Sequence, residues 1–211
     1  MSGGGLAAVI LAGGRSRRKG SEKALLELGG ETLIERLARR LAASFERILV
    51  STGSEPASEG LAAALERLRA GGLAVEEVAD LRAEFAGPLA GVEAALGALG
   101  SGRAFFISVD LVDPDEGLMA VLLEVSSGAG CLGAVPVCEG IIQGSFAVYS
   151  AGLLPAVVAL LDGGEARLQA LAGAGGVATV ELEDTAADLF HGLNTPAEYE
   201  SLRSSLGEDR A

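Results

Sequence analysis

The sequence predicts an α/β fold: a doubly wound, mostly parallel sheet with helices on both faces, formed by a single domain over residues 1–211. Two observations carry this. Residues 6–12 form an uninterrupted apolar run, as expected of a strand buried on both faces. After it, segments with strand-like and helix-like patterning alternate as β-α-β-α-β-α-β-α-β, and that alternation builds parallel sheets.

Each element has its own local reason. "MSGGG" (1–5) reads as a flexible lead. Residues 31–44 place apolar side chains at 33, 34, 37, 38, 41 and 42, a helical period. "RILVST" (47–52) is a strand, and 58–72 is a helix closed by glycines. "LAVEEVAD" (73–80) is a third strand. Residues 87–102 read as a helix, with Pro88 near its start and glycines at its end. "RAFFISVD" (103–110) is a strand ending on Asp110, 115–128 a helix and 131–137 a strand. Beyond residue 140 the pattern loosens: 144–150 resembles a strand, 152–164 and 165–176 two helices, and 177–184 a strand. A final helix spans 194–206, with Asn194 or Thr195 as its cap, before a loose tail at 207–211.

Right-handed crossovers gather the loops that follow parallel strands along one sheet edge, where ligands of such sheets bind. That edge collects the loops after residue 12, after Asp80 and after Asp110.

Composition narrows the function. Apolar residues make up 49% and charged residues 21%, a globular balance. A net charge of −13 argues against general nucleic-acid binding. No segment reaches the ~18 apolar residues of a membrane span, and no signal peptide is visible, so the expected location is cytoplasmic. Cys131 and Cys138 fit no zinc spacing and read as small strand residues; His191 has no partner nucleophile and reads as structural.

Against this acidic background, Arg15, Arg17, Arg18, Lys19 and Lys23 gather just after the first strand, behind Gly13 and Gly14. A glycine turn lets backbone amides approach a ligand and form an anion nest, and arginine forks suit phosphate oxygens. The spacing is neither a P-loop nor a dinucleotide fingerprint. The residues alone therefore indicate a phosphate site after the first strand.

The run Leu11-Ala12-Gly13-Gly14-Arg15-Ser16-Arg17-Arg18-Lys19-Gly20-Ser21-Glu22-Lys23 resembles the signature loop of doubly wound nucleotidyltransferases, L-A-[GA]-G-x-S-x-R-M-G-x-D-K. With "GPLAGVEAAL" (87–96), the stretch from "GSFAVYS" (144–150) to "LQAL" and "FHGLNTPAEYE" (190–200), it is most similar to the molybdenum cofactor guanylyltransferase family. The likeness covers nearly the whole chain in order.

The resemblance implies transfer of GMP from GTP to molybdopterin with release of pyrophosphate. It gives the backbone of Leu11, Ala12, Gly13 and Gly14 to the guanine and ribose, and Arg18 and Lys23 to the triphosphate. Asp80 is assigned to the nucleotide, Asp110 to Mg2+, and Asn194 to the pterin and metal side. Transient contact with molybdoenzyme-assembly proteins is a further implied partnership.

The chain departs from the pattern at Lys19, Glu22, Ser108, Val109, Val112, Gly144 and Gly192, the last two on the expected pterin side. Asp113 and Asp115 lie close enough in sequence to share a metal, and equally well placed to cap a helix. Two alternatives stay open: a nucleotidyltransferase using CTP or another phosphorylated acceptor, or a catalytically weak nucleotide- or cofactor-binding protein.

Overall fold

The computed structural model describes residues 6–13, 23–82, 87–193 and 195–205. The expected lead at 1–5 and tail at 207–211 lie outside them. Strand β1 (Ala7–Leu11) is followed by a small antiparallel hairpin, β2 (Glu27–Leu28) and β3 (Glu31–Thr32), and by α1 (Leu33–Leu41). Then come β4 (Arg47–Gly53), α2 (Glu59–Ala70), β5 (Val75–Ala79), α3 (Pro88–Leu99), β6 (Arg103–Ser108) and α4 (Glu116–Ser126). The remainder comprises β7 (Gly133–Cys138), the short β8 (Ile141–Ile142), β9 (Phe146–Ser150), α5 (Leu154–Asp162), β10 (Val177–Glu181) and α6 (Pro196–Ser205).

The main sheet runs β10-β7-β9-β6-β1-β4-β5, with β8 paired to β7. β9 lies antiparallel between β6 and β7, whereas the β7–β10, β6–β1, β1–β4 and β4–β5 pairings are parallel. Alternate side chains along each strand enter opposite cores. Ala8, Ile10, Phe105, Ile107, Phe146 and Val148 pack with α1, α2 and α4 on one face. Ala7, Val9, Ala104, Phe106, Ala147 and Tyr149 pack with α3 and α5 on the other. This is the doubly wound arrangement that the apolar run at 6–12 predicts. On the first face Phe45 stacks on Phe105, which meets Phe146 edge-on, and Phe146 in turn meets Phe190. That aromatic file links the core to the C-terminal segment.

Helix starts follow local capping chemistry. Thr32 and Glu35 form a reciprocal capping box at α1, Ser58 Oγ accepts from the Leu61 amide at α2, and Asp115 Oδ1 accepts from the Leu118 amide at α4. Thr195 Oγ1 accepts from the Glu198 amide, and Glu198 returns the bond to the Thr195 amide, which makes Thr195 the cap of the last helix.

Four expectations need correction. The helix expected from residue 31 begins at Leu33, because Glu31 and Thr32 close the hairpin with β2. The strand expected to end on Asp110 ends at Ser108, and Asp110 stands in the loop beyond. The helix expected over 165–176 is a 3-10 stretch, Leu168–Gly173, flanked by irregular chain. This segment crosses the sheet edge closely: a Cβ on Gly87 would meet Ala166, and one on Gly144 would meet Leu168. A straight helix cannot follow both contacts. Finally, Cys131 precedes β7 rather than lying within it.

Candidate active site

β1 and β6 end level at the site, and β4 between β1 and β5 runs two residues further, to Gly53. Leu11, the last residue of β1, pairs with Ser51 of β4 on one side and Ser108 of β6 on the other. The chain then turns hard against β4. The amides of Ala12 and Gly13 both donate to Ser51 O at 2.9 Å, and the Val109 amide donates to Leu11 O at 3.2 Å. A Cβ on Gly13 would lie 2.8 Å from Gly53 N and 2.9 Å from Gly53 Cα, so only glycine permits this backbone-to-backbone approach. The Ala12 and Gly13 amides are therefore engaged by β4. Gly14 and Arg18 lie outside the described residues, as do Arg15, Arg17, Lys19 and Glu22.

Lys23 opens a 3-10 turn, Lys23–Leu25, and returns to the sheet edge. Its Nζ lies 3.2 Å from Asp110 Oδ2, and both side chains keep partial exposure, 27% and 18%. A third apolar cluster fixes this pairing. Leu28 and Leu33 from the hairpin and α1 pack with Val112 and Leu193, and Leu26, Tyr199 and Leu202 close around them. The Tyr199 hydroxyl donates to Glu27 O, and the Leu193 amide donates to Asp110 O at 3.1 Å. The chain around Lys23, the loop carrying Asp110 and the C-terminal segment are thus held as one wall.

Gly192 touches Asp110 directly: a Cβ there would fall 2.8 Å from Asp110 Cγ and 2.9 Å from Oδ2. Asn194, two residues on, lies outside the described residues. Asp113 and Asp115 do not join the site: Asp113 pairs with Arg40, and Asp115 caps α4. His191 is 74% exposed, with its Nδ1 3.8 Å from Asp188 Oδ1.

Asp80 leaves β5 on the other flank. Its amide donates to Gly53 O at 2.9 Å. Burial raises its pKa above the usual carboxylate value, the neighbouring charge of Glu93 raises it further, and a hydrogen bond from Ser51 offsets part of the rise. Its Oδ1 is buried without a hydrogen-bond partner among the described residues. Glu93, on α3 and only 5% exposed, is neutralised by a forked pair of bonds from Arg82, at 2.8 and 2.9 Å, and Arg82 also reaches Asp162 of α5 at 2.9 Å. Sequence reasoning missed this network. Arg82 and Asp162 stand 80 positions apart, and no local pattern pairs them.

Two clefts open at this edge. One of about 270 Å³ lies beside Gly13, with Pro88, Ser108, Ser145, Arg167 and Gln169 in its walls. The other, about 330 Å³, lies beyond Gly192 and is walled by Cys138, Gln143, Phe190 and Glu198. A larger depression, about 1010 Å³, sits at the opposite end of the strands. Its arginines are engaged: Arg47 with Glu76, Arg69 with Glu66, and Arg103 with Ser126 O. Among the described residues no three acidic, histidine or cysteine side chains cluster at metal-binding distance, and no helix is long and apolar enough to cross a membrane.

The family model described as "MobA-like NTP transferase domain" matches residues 8–179. The chain is 33% identical to a "Probable molybdenum cofactor guanylyltransferase" of Deinococcus radiodurans, covering 97% of this chain and 96% of that protein. It is 30% identical to a "Molybdenum cofactor guanylyltransferase" of Cereibacter sphaeroides, over 95% of this chain and 97% of that one. A relative from Pelotomaculum thermopropionicum is 38% identical over 71% of this chain, a stretch that spans 65% of that protein. Among solved structures, molybdopterin-guanine dinucleotide biosynthesis protein A of Archaeoglobus fulgidus superposes with a TM-score of 0.74 at 19% identity, covering 96% of this chain and all of that one. A 4-diphosphocytidyl-2C-methyl-D-erythritol synthase from Anaerococcus prevotii shares the fold at a TM-score of 0.70 and 12% identity.

Proposed function

Since the chain belongs to the MobA-like NTP transferase family, we propose that it is a guanylyltransferase that moves GMP from GTP onto the terminal phosphate of molybdopterin, in the cytoplasm. The observation that carries the reading is the Lys23–Asp110 pair, set at the carboxyl edge of the sheet next to the Gly13 turn.

The donor set suits Mg2+. The Asp110 carboxylate faces a lysine, no three acidic, histidine or cysteine side chains cluster at metal-binding distance among the described residues, and Mg2+ commonly takes one or two carboxylates and completes its shell with phosphate oxygens and water. Bound by Asp110 and the triphosphate, Mg2+ supplies charge neutralisation for the departing pyrophosphate. Lys23 and Arg18 hold the β- and γ-phosphates and meet the charge that grows as the bond breaks. The Gly13 turn and Asp80 are assigned to the guanosine, and Asn194 to the acceptor side. An acceptor phosphate oxygen forms the new bond to the α-phosphorus while the bond from that phosphorus to the bridging oxygen breaks. The electron pair leaves with pyrophosphate. The nucleophile is already anionic at neutral pH, so the step needs no general base.

The test is incubation of the purified protein with Mg2+, molybdenum-loaded molybdopterin and each of GTP, CTP, ATP and UTP. Pyrophosphate release with a guanylylated pterin product from GTP alone is the expected result. Release with CTP in preference to GTP, or nucleotide binding without any transfer, would replace this reading with one of its alternatives.

A further inference from the structure

We infer that Gly192 is a positioning residue for Asp110: its bare backbone sets where the carboxylate stands, and thereby the affinity of the site for a divalent cation. The inference rests on the metal role proposed for Asp110.

A methyl group at 192 would lie 2.8 Å from Asp110 Cγ, 2.9 Å from Oδ2 and 3.2 Å from Oδ1, all inside ordinary contact distance. One side of that contact must move. The 190–193 segment is anchored at both ends. Phe190 packs edge-on against Phe146 with ring centres 5.8 Å apart. Leu193 is 8% exposed within the cluster of Leu28, Leu33 and Val112, and its amide donates to Asp110 O. Withdrawing this segment would open an apolar cluster and break a backbone bond. The carboxylate, by contrast, turns about single bonds and is the cheaper element to displace.

Oδ2, the oxygen a methyl group would press upon, is also the one that Lys23 Nζ approaches at 3.2 Å. Displacing it shifts the carboxylate against both its cationic neighbour and any metal on the same edge. Groups that orient a metal ligand commonly change affinity by about 10- to 100-fold when altered. Gly192 acts here by lacking a side chain, and its other flank lines the 330 Å³ cleft.

The test titrates Mn2+ as the paramagnetic probe, in the presence of GTP and without acceptor, reading free Mn2+ by electron paramagnetic resonance. Glycine-to-alanine at 192, Gly192→Ala, is compared with Asp110→Asn and the native protein. Both variants are expected to weaken Mn2+ binding at least about tenfold, while Gly192→Ala binds GTP in EDTA within about twofold of the native protein. Loss in Asp110→Asn with native Mn2+ affinity in Gly192→Ala overturns the inference and leaves the proposed metal role intact. Native affinity in Asp110→Asn removes the metal role itself, and the inference with it. Should Gly192→Ala fail to fold, it is combined with Asp110→Ala: recovery of a folded protein in the double variant supports the clash, and no recovery overturns it.

Discussion

The Lys23 ammonium lies 3.2 Å from Asp110 Oδ2, joining the chain that follows β1 to the loop that follows β6 across 87 residues of sequence. Under the proposed mechanism, nucleotide binding would turn the lysine toward the triphosphate and leave the carboxylate to hold the metal. Asp110→Asn is therefore expected to lower kcat by about a hundredfold to a thousandfold, the usual cost of removing one stabiliser of transition-state charge. Lys23→Ala should raise KM for GTP as well as lower kcat. Steady-state pyrophosphate release measures both, and unchanged kcat in Asp110→Asn would refute the assignment.

Gly13→Ala tests the turn itself. The added methyl would collide with the backbone of Gly53, which cannot swing aside as a side chain can. Overpacking of this kind costs about 1–3 kcal/mol. The expected outcome is a lower unfolding midpoint in urea together with weakened GTP binding. Gly53→Ala makes a useful contrast. There the added Cβ meets only Gly13 Cα, at 3.6 Å, but the residue sits at φ +90, so its cost comes from backbone strain.

Asp80 works against folding at neutral pH. Its pKa lies above the ordinary 3.8, so the folded protein holds the proton more tightly than the unfolded chain. The stability this gives is complete below pH 3.8 and is lost as pH rises through the folded value. Asp80→Asn should therefore melt higher than the native protein at pH 7, with the gap narrowing as pH falls through the raised folded value and closed below 3.8. It should at the same time bind GTP less tightly, if Asp80 receives the nucleotide. A variant both more stable and fully active would remove Asp80 from the site.

Arg82 holds three elements together by answering Glu93 and Asp162. Removing it leaves the Glu93 carboxylate buried without a counter-charge, which is the damaging way to break such a pair. Arg82→Ala is expected to lower the thermal midpoint by several degrees, and adding Glu93→Gln should restore part of the loss. Arg167→Ala, which removes a 78% exposed partner of nearby Glu165, should leave the midpoint close to native.

What the sequence made legible follows from what is local. The runs at 6–12, 48–50 and 104–107 are apolar without interruption because both sheet faces are covered, and they lie in strands. The cationic stretch after β1 marked one side of the site, and Lys23 does meet Asp110. The hairpin of β2 and β3 escaped notice because two residues per strand are too few to establish a period. The 165–176 segment carries leucines at helical spacing, yet it must lie against Gly87 and Gly144, a tertiary demand that spacing does not record. Gly192 read as a departure from a motif. Only the folded chain reveals that it touches the carboxylate.

Glu35 gives the acid limb of stability. Its carboxylate is held by Arg67 Nε at 2.8 Å and by the Thr32 side chain and amide, while burial opposes these. The bonds prevail, and its pKa falls from 4.5 to about 2. A carboxylate with a depressed folded pKa stabilises the protein above its unfolded value, so this contribution is complete above pH 4.5 and disappears as pH falls through about 2. Glu35→Gln keeps the shape and can still bond the Thr32 amide, but it loses the charge that Arg67 answers. It should melt below the native protein at pH 7, and the difference should shrink steadily between pH 4.5 and 2. Thermal unfolding followed by circular dichroism across that range measures the gap directly. A gap independent of pH would mean that Glu35 acts through its packing and its cap at α1 rather than through its charge.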